Sequence, residues 1–265
     1  MKFKKNVSLK NYTTFKIGGP AKYFYIAKTK EDLIEAIKEA KKLKLPFFIL
    51  GRGSNLLVSD RGFNGLVIKF GQPLSSYVSK GLEWAVGIPG TIQGAVCNNA
   101  GAFKKSMKDV VESVEVFDTE TGKVKIFKNK DCKFSYRNSI FRKKKNLIIL
   151  SVKIKPKKSN TKKIKQYLNY RKKTQSLNFP SAGSIFKNPK GFSAGELIEK
   201  CGLKGKKIGN VKISEKHANF IVNLGQGKAK DVIKLIKFIK KRVKKKFGVV
   251  LEEEIQFLGF KNKIF

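Results

Sequence analysis

The clearest fold signal in the chain is residues 47–58, which read FFILGRGSNLLV. The four apolar residues predict a short buried strand, the two glycines with small polar neighbours predict a turn, and residues 56–58 predict a second extended segment. Several backbone N–H groups of such a turn can point at one anion, and Arg52 adds a positive charge. We therefore predict a diphosphate cradle of non-Rossmann type here, because no third glycine opens a helix. An ordinary β-turn is the alternative.

A strand and a helix are predicted immediately before this stretch. Residues 22–26 favour a strand, and Thr29 with Asp32 forms a capping-box pattern. Apolar residues then recur at helical spacing over 33–43, and Pro46 ends the helix. The chain therefore opens as a β-α-β unit.

A second glycine-rich block lies at residues 87–95 and 98–103. So many small residues indicate that the backbone passes close to something flat or bulky. A large cofactor would satisfy this, and tight packing against another backbone is the alternative. Two such blocks around one β-α-β unit favour a dinucleotide-like cofactor.

The middle of the chain predicts further strands and one candidate charge. Residues 111–127 predict a hairpin, 147–154 predict another strand, and 155–161 form a polar linker. Arg137 is one of only six arginines in the chain. Its planar guanidinium suits a carboxylate or an enolate better than a lysine would, and a plain surface arginine is the alternative.

Residues 180–189, PSAGSIFKNP, predict a tight turn bounded by two prolines. This turn would present a hydroxyl, an ammonium and an amide from Ser184, Lys187 and Asn188. A surface turn with polar decoration is the alternative.

The C-terminal part predicts helices over 164–173, 194–201 and 229–247, with a turn and strand over 214–223. A last strand is predicted over 249–258, in which Glu252, Glu254 and Gln256 share one face. Two neighbouring carboxylates repel each other, which can raise the pKa of one of them. A solvated edge strand is the alternative.

Composition excludes several classes of protein. The 265 residues are 41% hydrophobic, and no apolar run approaches the roughly 18–20 residues of a membrane span. Three distant cysteines and one histidine argue against a disulfide framework and against a zinc site, so no metal is predicted. Residues 1–15 have lysines but no apolar signal segment, so a cytoplasmic location is expected.

The formal net charge is +40. Such a charge attracts nucleic acid and phosphorylated ligands. Nucleic-acid-binding proteins usually concentrate arginine at their contact surfaces, whereas lysine is spread over nearly every segment of this chain. A lysine-rich solvated surface is therefore the favoured interpretation.

Together these blocks resemble the UDP-N-acetylenolpyruvoylglucosamine reductase family, flavoenzymes of bacterial peptidoglycan precursor synthesis that serve cell-wall biogenesis, cell shape and cell division. The matching residues run in family order over nearly the whole chain: 13–20, 51–58, 87–95, 99–102, 136–141, 181–189, 214–223 and 251–255. Each block is weak alone, and jointly they are specific.

The resemblance implies an α+β fold with two domains. A FAD-binding domain of vanillyl-alcohol-oxidase type would span 1–155, in subdomains of about 1–70 and 71–155, and a C-terminal α+β substrate-binding domain would span 160–265. NADPH would reduce FAD, and flavin N5 would deliver hydride to the enolpyruvyl double bond of the UDP-sugar. A cytoplasmic monomer with no specific nucleic-acid partner and no membrane partner is expected.

The resemblance also implies roles for individual residues. Ser184 matches the proton donor, and Arg137 and Glu254 match the residues that stabilise the enolate-like intermediate. Substrate-side positions are Tyr136, Lys187, Asn188 and Glu252. Cofactor-binding positions are Gly51, Arg52, Gly53, Ser54, Asn55, Leu56, Gly87, Ile88, Pro89, Gly90, Thr91, Gly94, Ala95, Asn99, Ala100 and Gly101.

This sequence departs from the family pattern in three places. The segment over 69–80 is shorter than usual, Gln93 replaces a glycine, and Asn98 stands where methionine is common. The short spacing from Arg137 to Ser184 resembles the branch that lacks a tyrosine-bearing insertion. The alternatives are a non-catalytic or flavin-deficient relative, suggested by the short segment, and a basic nucleic-acid-binding protein, suggested by charge alone.

Overall fold

The structure is a computed structural model, and it describes residues 1–155 and 157–260. Within those ranges the helices are α1 (Lys30–Lys42), α2 (Ile92–Cys97), α3 (Met107–Val110), α4 (Ile140–Lys143), α5 (Thr161–Thr174), α6 (Ala194–Lys200) and α7 (Ala229–Phe247). The strands are β1 (Lys4–Ser8), β2 (Pro20–Ile26), β3 (Phe47–Leu50), β4 (Leu56–Val58), β5 (Phe63–Lys69), β6 (Gly101–Ala102), β7 (Lys105–Ser106), β8 (Val111–Asp118), β9 (Lys123–Lys128), β10 (Leu147–Ile154), β11 (Ser181–Ser184), β12 (Lys207–Ile208), β13 (Val211–Ile213), β14 (Phe220–Asn223) and β15 (Gln256–Leu258). Mixed helices and strands confirm the predicted α+β class.

The strands form several small sheets. Their hydrogen-bonded orders are β1-β2-β5-β3, β10-β8-β9, β11-β14-β13-β12, β15-β4 and β6-β7. The hairpin β8–β9 is antiparallel, as predicted, whereas β15 and β4 pair in parallel although about 200 residues separate them along the chain.

Local signals account for the predicted helices. The Thr29 hydroxyl accepts the N–H of Asp32, and the Asp32 carboxylate accepts the N–H of Thr29, so the capping box is confirmed and α1 begins at Lys30. Helix α7 has the predicted bounds, buries an apolar face, and ends where Gly248 adopts a left-handed φ of 71°.

Contacts divide the chain into two units that interleave along the sequence. The first unit is 1–2, 25–51 and 68–171, and the second unit is 3–24, 52–67 and 172–265. The first unit has its own core around Trp84, and the second has its own core around Phe186. The predicted linear division at 155–160 stays a prediction.

The predicted turn at 180–189 is wrong in part, because residues Ser181–Ser184 form strand β11. Ser181 lies opposite Val222 and Ser184 lies opposite Phe220, so three steps on β11 match two steps on β14. This is the geometry of a β-bulge, and Gly183 allows it with a φ of 75°.

The predicted strand over 249–258 is also mostly wrong, because only Gln256–Leu258 is a strand. Upstream of it, the chain makes an isolated bridge between Glu253 and Phe186 instead of a continuous ladder. The Glu252 carboxylate is exposed and pairs with Lys187. Glu252 therefore has a cation as its neighbour, and the side-by-side repulsion of two carboxylates predicted for this strand is not its main interaction.

Candidate active site

Ser184 ends strand β11 in the second unit and is half-buried. The strand begins where the Thr14 hydroxyl donates to the carbonyl of Ser181 over 2.7 Å. Because Gly183 makes the bulge just before Ser184, the backbone re-enters the antiparallel register at the serine itself.

The segment that carries Glu254 runs beside the residues that follow Ser184. The Lys187 N–H donates to the Glu252 carbonyl over 2.9 Å, and the Glu254 N–H donates to the Ile185 carbonyl over 2.8 Å. Two of the three predicted catalytic residues thus lie on hydrogen-bonded neighbouring segments of one unit.

The predicted substrate-side residues Lys187, Asn188 and Glu252 lie on the same two segments. The Lys187 ammonium pairs with the Glu252 carboxylate. The Asn188 Oδ1 accepts the N–H of Ala194 over 3.0 Å, which ties this segment to the start of α6. These contacts fix the direction of the chain after Ser184.

Asn55, which we predicted to bind cofactor, also contacts the Glu254 segment. Its Nδ2 donates to the Glu254 carbonyl over 3.2 Å, and its own carbonyl accepts the Gln256 N–H over 2.9 Å. On the other side of the same turn, the Thr14 N–H donates to the Gly53 carbonyl over 3.3 Å. The turn before β4 is therefore bonded to Glu254 and, through Thr14, to the strand of Ser184.

Asn219 is a residue whose contact with this site the sequence analysis missed. Its Oδ1 accepts the Phe186 N–H over 2.9 Å, its Nδ2 donates to the Phe186 carbonyl over 2.8 Å, and its backbone carbonyl accepts the Ile185 N–H over 2.8 Å. The available signal was a single amide side chain directly before the apolar run of β14.

His217 is next to this asparagine and serves the structure. Its Nδ1 accepts the Asn219 N–H over 3.3 Å, and burial lowers the pKa of the imidazole from its usual value. A neutral ring can accept this hydrogen bond, whereas a protonated ring could not.

Arg137 lies in the first unit at the tip of a tight turn. Ser135 and Asn138 exchange backbone hydrogen bonds of 3.0 and 3.1 Å, and Arg137 between them has a left-handed φ of 52°. Its Nη1 donates to the Gly101 carbonyl over 2.9 Å, and its guanidinium lies 5.5 Å from the centroid of the exposed Tyr136 ring. A non-glycine residue in this conformation is held there by its surroundings.

The same turn is bonded to the second glycine block. The Asn99 Nδ2 donates to the Ser135 carbonyl over 2.8 Å, and its Oδ1 accepts the Lys108 N–H over 3.0 Å. The Ser139 hydroxyl donates to the Cys97 carbonyl. The amide of Asn99 is thus used to join Arg137's turn to residues 97–101.

The short segment over 69–80 is bonded directly to the second glycine block. It forms a 3-10 helix at Leu74–Lys80; the Leu74 N–H donates to the Gly90 carbonyl over 2.9 Å, and the Ile92 N–H donates to the Gln72 carbonyl over 3.0 Å. The buried Gln93 accepts the Gln72 N–H over 3.0 Å and donates to the Leu150 carbonyl over 3.2 Å. Two departures from the family pattern are therefore physically linked.

At several of the predicted cofactor positions, other atoms of the protein lie too close for any residue larger than glycine. A Cβ on Gly51 would lie 2.7 Å from the Thr91 hydroxyl, one on Gly53 would lie 2.6 Å from the Tyr12 carbonyl, and one on Gly101 would lie 2.5 Å from the Lys105 carbonyl. At these three positions, tight packing of the chain against itself explains why the residue is glycine.

The loop over 87–90 fits a phosphate-bearing cofactor for a different reason. Arg171 is buried against Gly87, donates to the Trp84 carbonyl over 3.1 Å, and has its Nε buried without a hydrogen-bond partner in the part of the chain that the structure describes. Burial lowers the pKa of this guanidinium. A buried cation beside an exposed glycine turn matches the charge of a diphosphate.

The predicted site residues are divided between the two units. The first unit contains Gly51, Gly87, Ile88, Pro89, Gly90, Thr91, Gly94, Ala95, Asn99, Ala100, Gly101, Tyr136 and Arg137. The second unit contains Arg52, Gly53, Ser54, Asn55, Leu56, Ser184, Lys187, Asn188, Glu252 and Glu254.

Thr91 caps α2 by accepting the Gly94 N–H over 3.2 Å.

Over residues 1–155 and 157–260, no group of three histidine, cysteine or acidic side chains could hold a metal ion. Cys97, Cys132 and Cys201 are all free thiols, and burial raises the pKa of Cys132 to about 12. None of the described helices is long and apolar enough to cross a membrane.

Comparison with known proteins assigns the family. A sequence profile for the C-terminal domain of UDP-N-acetylenolpyruvoylglucosamine reductase matches residues 175–258, and a profile for a FAD binding domain matches residues 21–79. The reductase of Caldanaerobacter subterraneus subsp. tengcongensis is 44% identical over 97% of this chain and 93% of its own length. The chain belongs to the UDP-N-acetylenolpyruvoylglucosamine reductase family. The reductase of Caldicellulosiruptor bescii is 42% identical over 100% of this chain and 94% of its own length.

A solved structure of the family has the same fold. The reductase of Thermus caldophilus superposes with a TM-score of 0.82 at 35% identity, covering 97% of this chain and 99% of its own. The alignment with the Caldicellulosiruptor bescii reductase has 295 positions, whereas this chain has 265 residues. Over that alignment this chain is about 30 positions shorter, whereas its length is close to that of the Thermus caldophilus protein.

Proposed function

We propose that this chain catalyses the NADPH-dependent reduction of the enolpyruvyl group of UDP-N-acetylglucosamine enolpyruvate to UDP-N-acetylmuramate, with FAD as cofactor. The reaction adds one hydride and one proton across a carbon–carbon double bond and converts NADPH to NADP⁺. Membership of the reductase family and the match to a FAD binding domain support this assignment.

FAD supplies hydride chemistry when bound, by taking a hydride from NADPH and passing it to the substrate. The residues that would hold the cofactor are those predicted in the two glycine-rich blocks, with the exposed Arg52 and the buried Arg171 as cations for its phosphates. The Leu74 N–H donates to the Gly90 carbonyl and the Ile92 N–H donates to the Gln72 carbonyl, and these two bonds anchor the second block to the short 69–80 segment. The missing residues therefore do not leave this loop without support.

Ser184 donates the proton to the substrate carbon. Ser184 ends a strand paired with β14 and precedes residues that are bonded to the Glu254 segment, and a positioned backbone favours the geometry that proton transfer requires. Arg137 stabilises the negative charge that develops on the substrate carboxylate before the proton arrives, and Glu254 does so as a protonated acid that donates a hydrogen bond. Tyr136, Lys187, Asn188 and Glu252 contact the rest of the UDP-sugar.

The observation that carries the proposal is the pairing of the segment after Ser184 with the segment of Glu254. A structural turn would not need two reactive side chains on adjacent, mutually bonded segments that are both half-buried. We also propose that the protein works as a cytoplasmic monomer, and that 1–155 and 160–265 act as its cofactor and substrate domains.

The test is a flavin absorbance spectrum of the purified protein, followed by NADPH oxidation with and without the enolpyruvyl UDP-sugar. We expect bound flavin and substrate-dependent oxidation. Ser184→Ala should cut product formation to a small residual rate while NADPH still bleaches the flavin. A colourless protein that ignores added FAD would contradict the cofactor assignment and favour a flavin-deficient relative.

A further inference from the structure

We propose that Asn219 is a positioning residue that holds the Ser184 hydroxyl in the direction needed for proton transfer. The inference rests on the proposed function, in which Ser184 is the proton donor. Asn219 itself touches neither substrate nor cofactor in this proposal and acts through the backbone of residues 185–186.

The side chain of Asn219 imitates a neighbouring strand. Its amide accepts a hydrogen bond from the Phe186 N–H and donates one to the Phe186 carbonyl, as the opposite residue of a hydrogen-bonded antiparallel pair would do. Its own carbonyl accepts the Ile185 N–H. Three hydrogen bonds from one residue therefore fix the two residues that follow Ser184.

This support is needed because regular pairing is interrupted just before Ser184. Between Ser181 and Ser184 the register with β14 shifts, and Gly183 has a left-handed φ of 75° with nothing within 4 Å of the site of its missing Cβ. The bulge gives the chain freedom on the N-terminal side of the serine. Asn219 removes that freedom on the C-terminal side.

Burial makes the contact rigid. Asn219 is 4% exposed, so water cannot replace either side-chain hydrogen bond when one is lost. The backbone N–H of Asn219 also donates to the His217 Nδ1. The amide is therefore held in one orientation, and so is the peptide that it clamps.

The chain provides a matched control in Asn223, at the other end of strand β14. Asn223 is 3% exposed, its Nδ2 donates to the Phe15 carbonyl over 3.0 Å, and its Oδ1 accepts the N–H groups of Gly225 and Gly227 over 2.9 Å each. The two asparagines have similar burial and similar side-chain bonding, but only Asn219 bonds the segment after Ser184.

The experiment compares Asn219→Asp with Asn223→Asp in the FAD-loaded protein. Each change replaces an amide nitrogen by an oxygen and so sets an acceptor against a buried carbonyl, which should lower the melting temperature of both variants to a similar extent. Flavin content, the rate of flavin bleaching by NADPH, the rate of flavin reoxidation by the enolpyruvyl UDP-sugar, and the rate of product formation with its solvent isotope effect are then measured for each variant.

We expect only Asn219→Asp to slow product formation, by about 10- to 100-fold, with a larger solvent isotope effect, because a misplaced proton donor affects the protonation step and not the hydride transfers to and from the flavin. Equal slowing of product formation in both variants, or slowing of bleaching and of product formation in proportion, would make Asn219 merely structural. Should the aspartate variants not fold, Asn219→Ser and Asn223→Ser give the same comparison.

A second measurement adds Asn219→Asp to the Ser184→Ala protein. If Asn219 acts through Ser184, the residual rate of product formation should not fall further, whereas an additional independent loss would overturn the inference. A wild-type protein whose flavin is bleached by NADPH but never reoxidised by this sugar would instead refute the proposed function.

Discussion

Asparagine side chains replace backbone partners at several points around the proposed site. Asn55 bonds the Glu254 carbonyl, Asn99 bonds the turn of Arg137, and Asn219 bonds Phe186. The amide is suited to this because it carries a donor and an acceptor at fixed separation, like a peptide group. At the scale of single residues, the site is shaped by neutral amides as much as by charged groups.

These contacts could not be predicted from the sequence. Hydrophobic periodicity indicates which residues are buried, but it does not indicate which buried polar atom pairs with which. Ser184, Arg137 and Glu254 stood out in local sequence patterns and received their roles from the family resemblance, whereas Asn219 carried no role in either. The orphaned Nε of Arg171 is likewise visible only once Gly87 and Trp84 are placed beside it.

One prediction at this scale concerns Asp118, a buried acid in the first unit. Its carboxylate accepts hydrogen bonds from Lys125 over 2.7 Å and from Asn146 over 2.9 Å, and the Lys125 contact is the main reason that the pKa of Asp118 is held well below its usual range. Because the folded pKa lies below the unfolded value of about 3.9, its stabilisation is present above that pH and is lost as the pH falls towards the folded pKa.

Asp118→Asn should therefore lower the urea midpoint at pH 7, and its difference from wild type should shrink steadily below about pH 4. Urea unfolding at pH 7, 5, 4 and 3 measures this, with the exposed neighbour Glu120→Gln as the control. A difference that stays constant over this range would contradict the assigned ion pair.

At the scale of elements, the short 69–80 segment depends on Gln93, whose side chain bonds this segment to strand β10. Without the usual residues the chain passes from β5 directly into a 3-10 helix, and Pro73 bridges to Thr91. A glycine at position 93 could not supply the two side-chain bonds that hold this shortcut to β10.

We predict that Gln93→Ala lowers the free energy of unfolding by about 1–3 kcal/mol, because it leaves the Gln72 N–H and the Leu150 carbonyl without these partners. Chemical denaturation of the two proteins measures the change. The control is Gln72→Ala, which removes an exposed side chain but retains the backbone N–H, and it should cost less than about 0.5 kcal/mol. Equal effects of the two substitutions would contradict this linkage.

The elements themselves were predicted unevenly, for physical reasons. Helices α1 and α7 and strand β10 have strong local signals, so their bounds agreed closely with expectation. The predictions for the bulged strand before Ser184 and for the irregular chain before Gln256 failed, because both conformations depend on partners distant in the sequence. Proline and glycine at 180–189 suggested a turn, and pairing with β14 made part of it a strand.

At the scale of the whole molecule, the charge of +40 is the dominant electrostatic feature. Charge of one sign repels itself and destabilises the compact state, and salt screens that repulsion. We predict that the melting temperature rises as NaCl increases from 10 to 300 mM.

Scanning calorimetry across that series measures the effect, and choline chloride at equal ionic strength should reproduce it if screening is the cause. A melting temperature that is flat or falls would show that the lysines are already neutralised locally. In the same buffers, retention of DNA with a steep salt dependence would favour the nucleic-acid alternative over a lysine-rich solvated surface.

The interleaving of the two units also determines what the cell has to do while it makes this protein. A ribosome releases residues 3–24 and 52–67 early, but their partners in 172–265 emerge only after the whole of the first unit. At bacterial elongation rates this interval lasts roughly 5 to 20 s. During that time Phe15 and Leu57, both fully buried in the finished protein, lack the C-terminal residues that pack around them in the core of the second unit. The topology therefore delays the burial of these apolar side chains until the C-terminal part of the chain has been made.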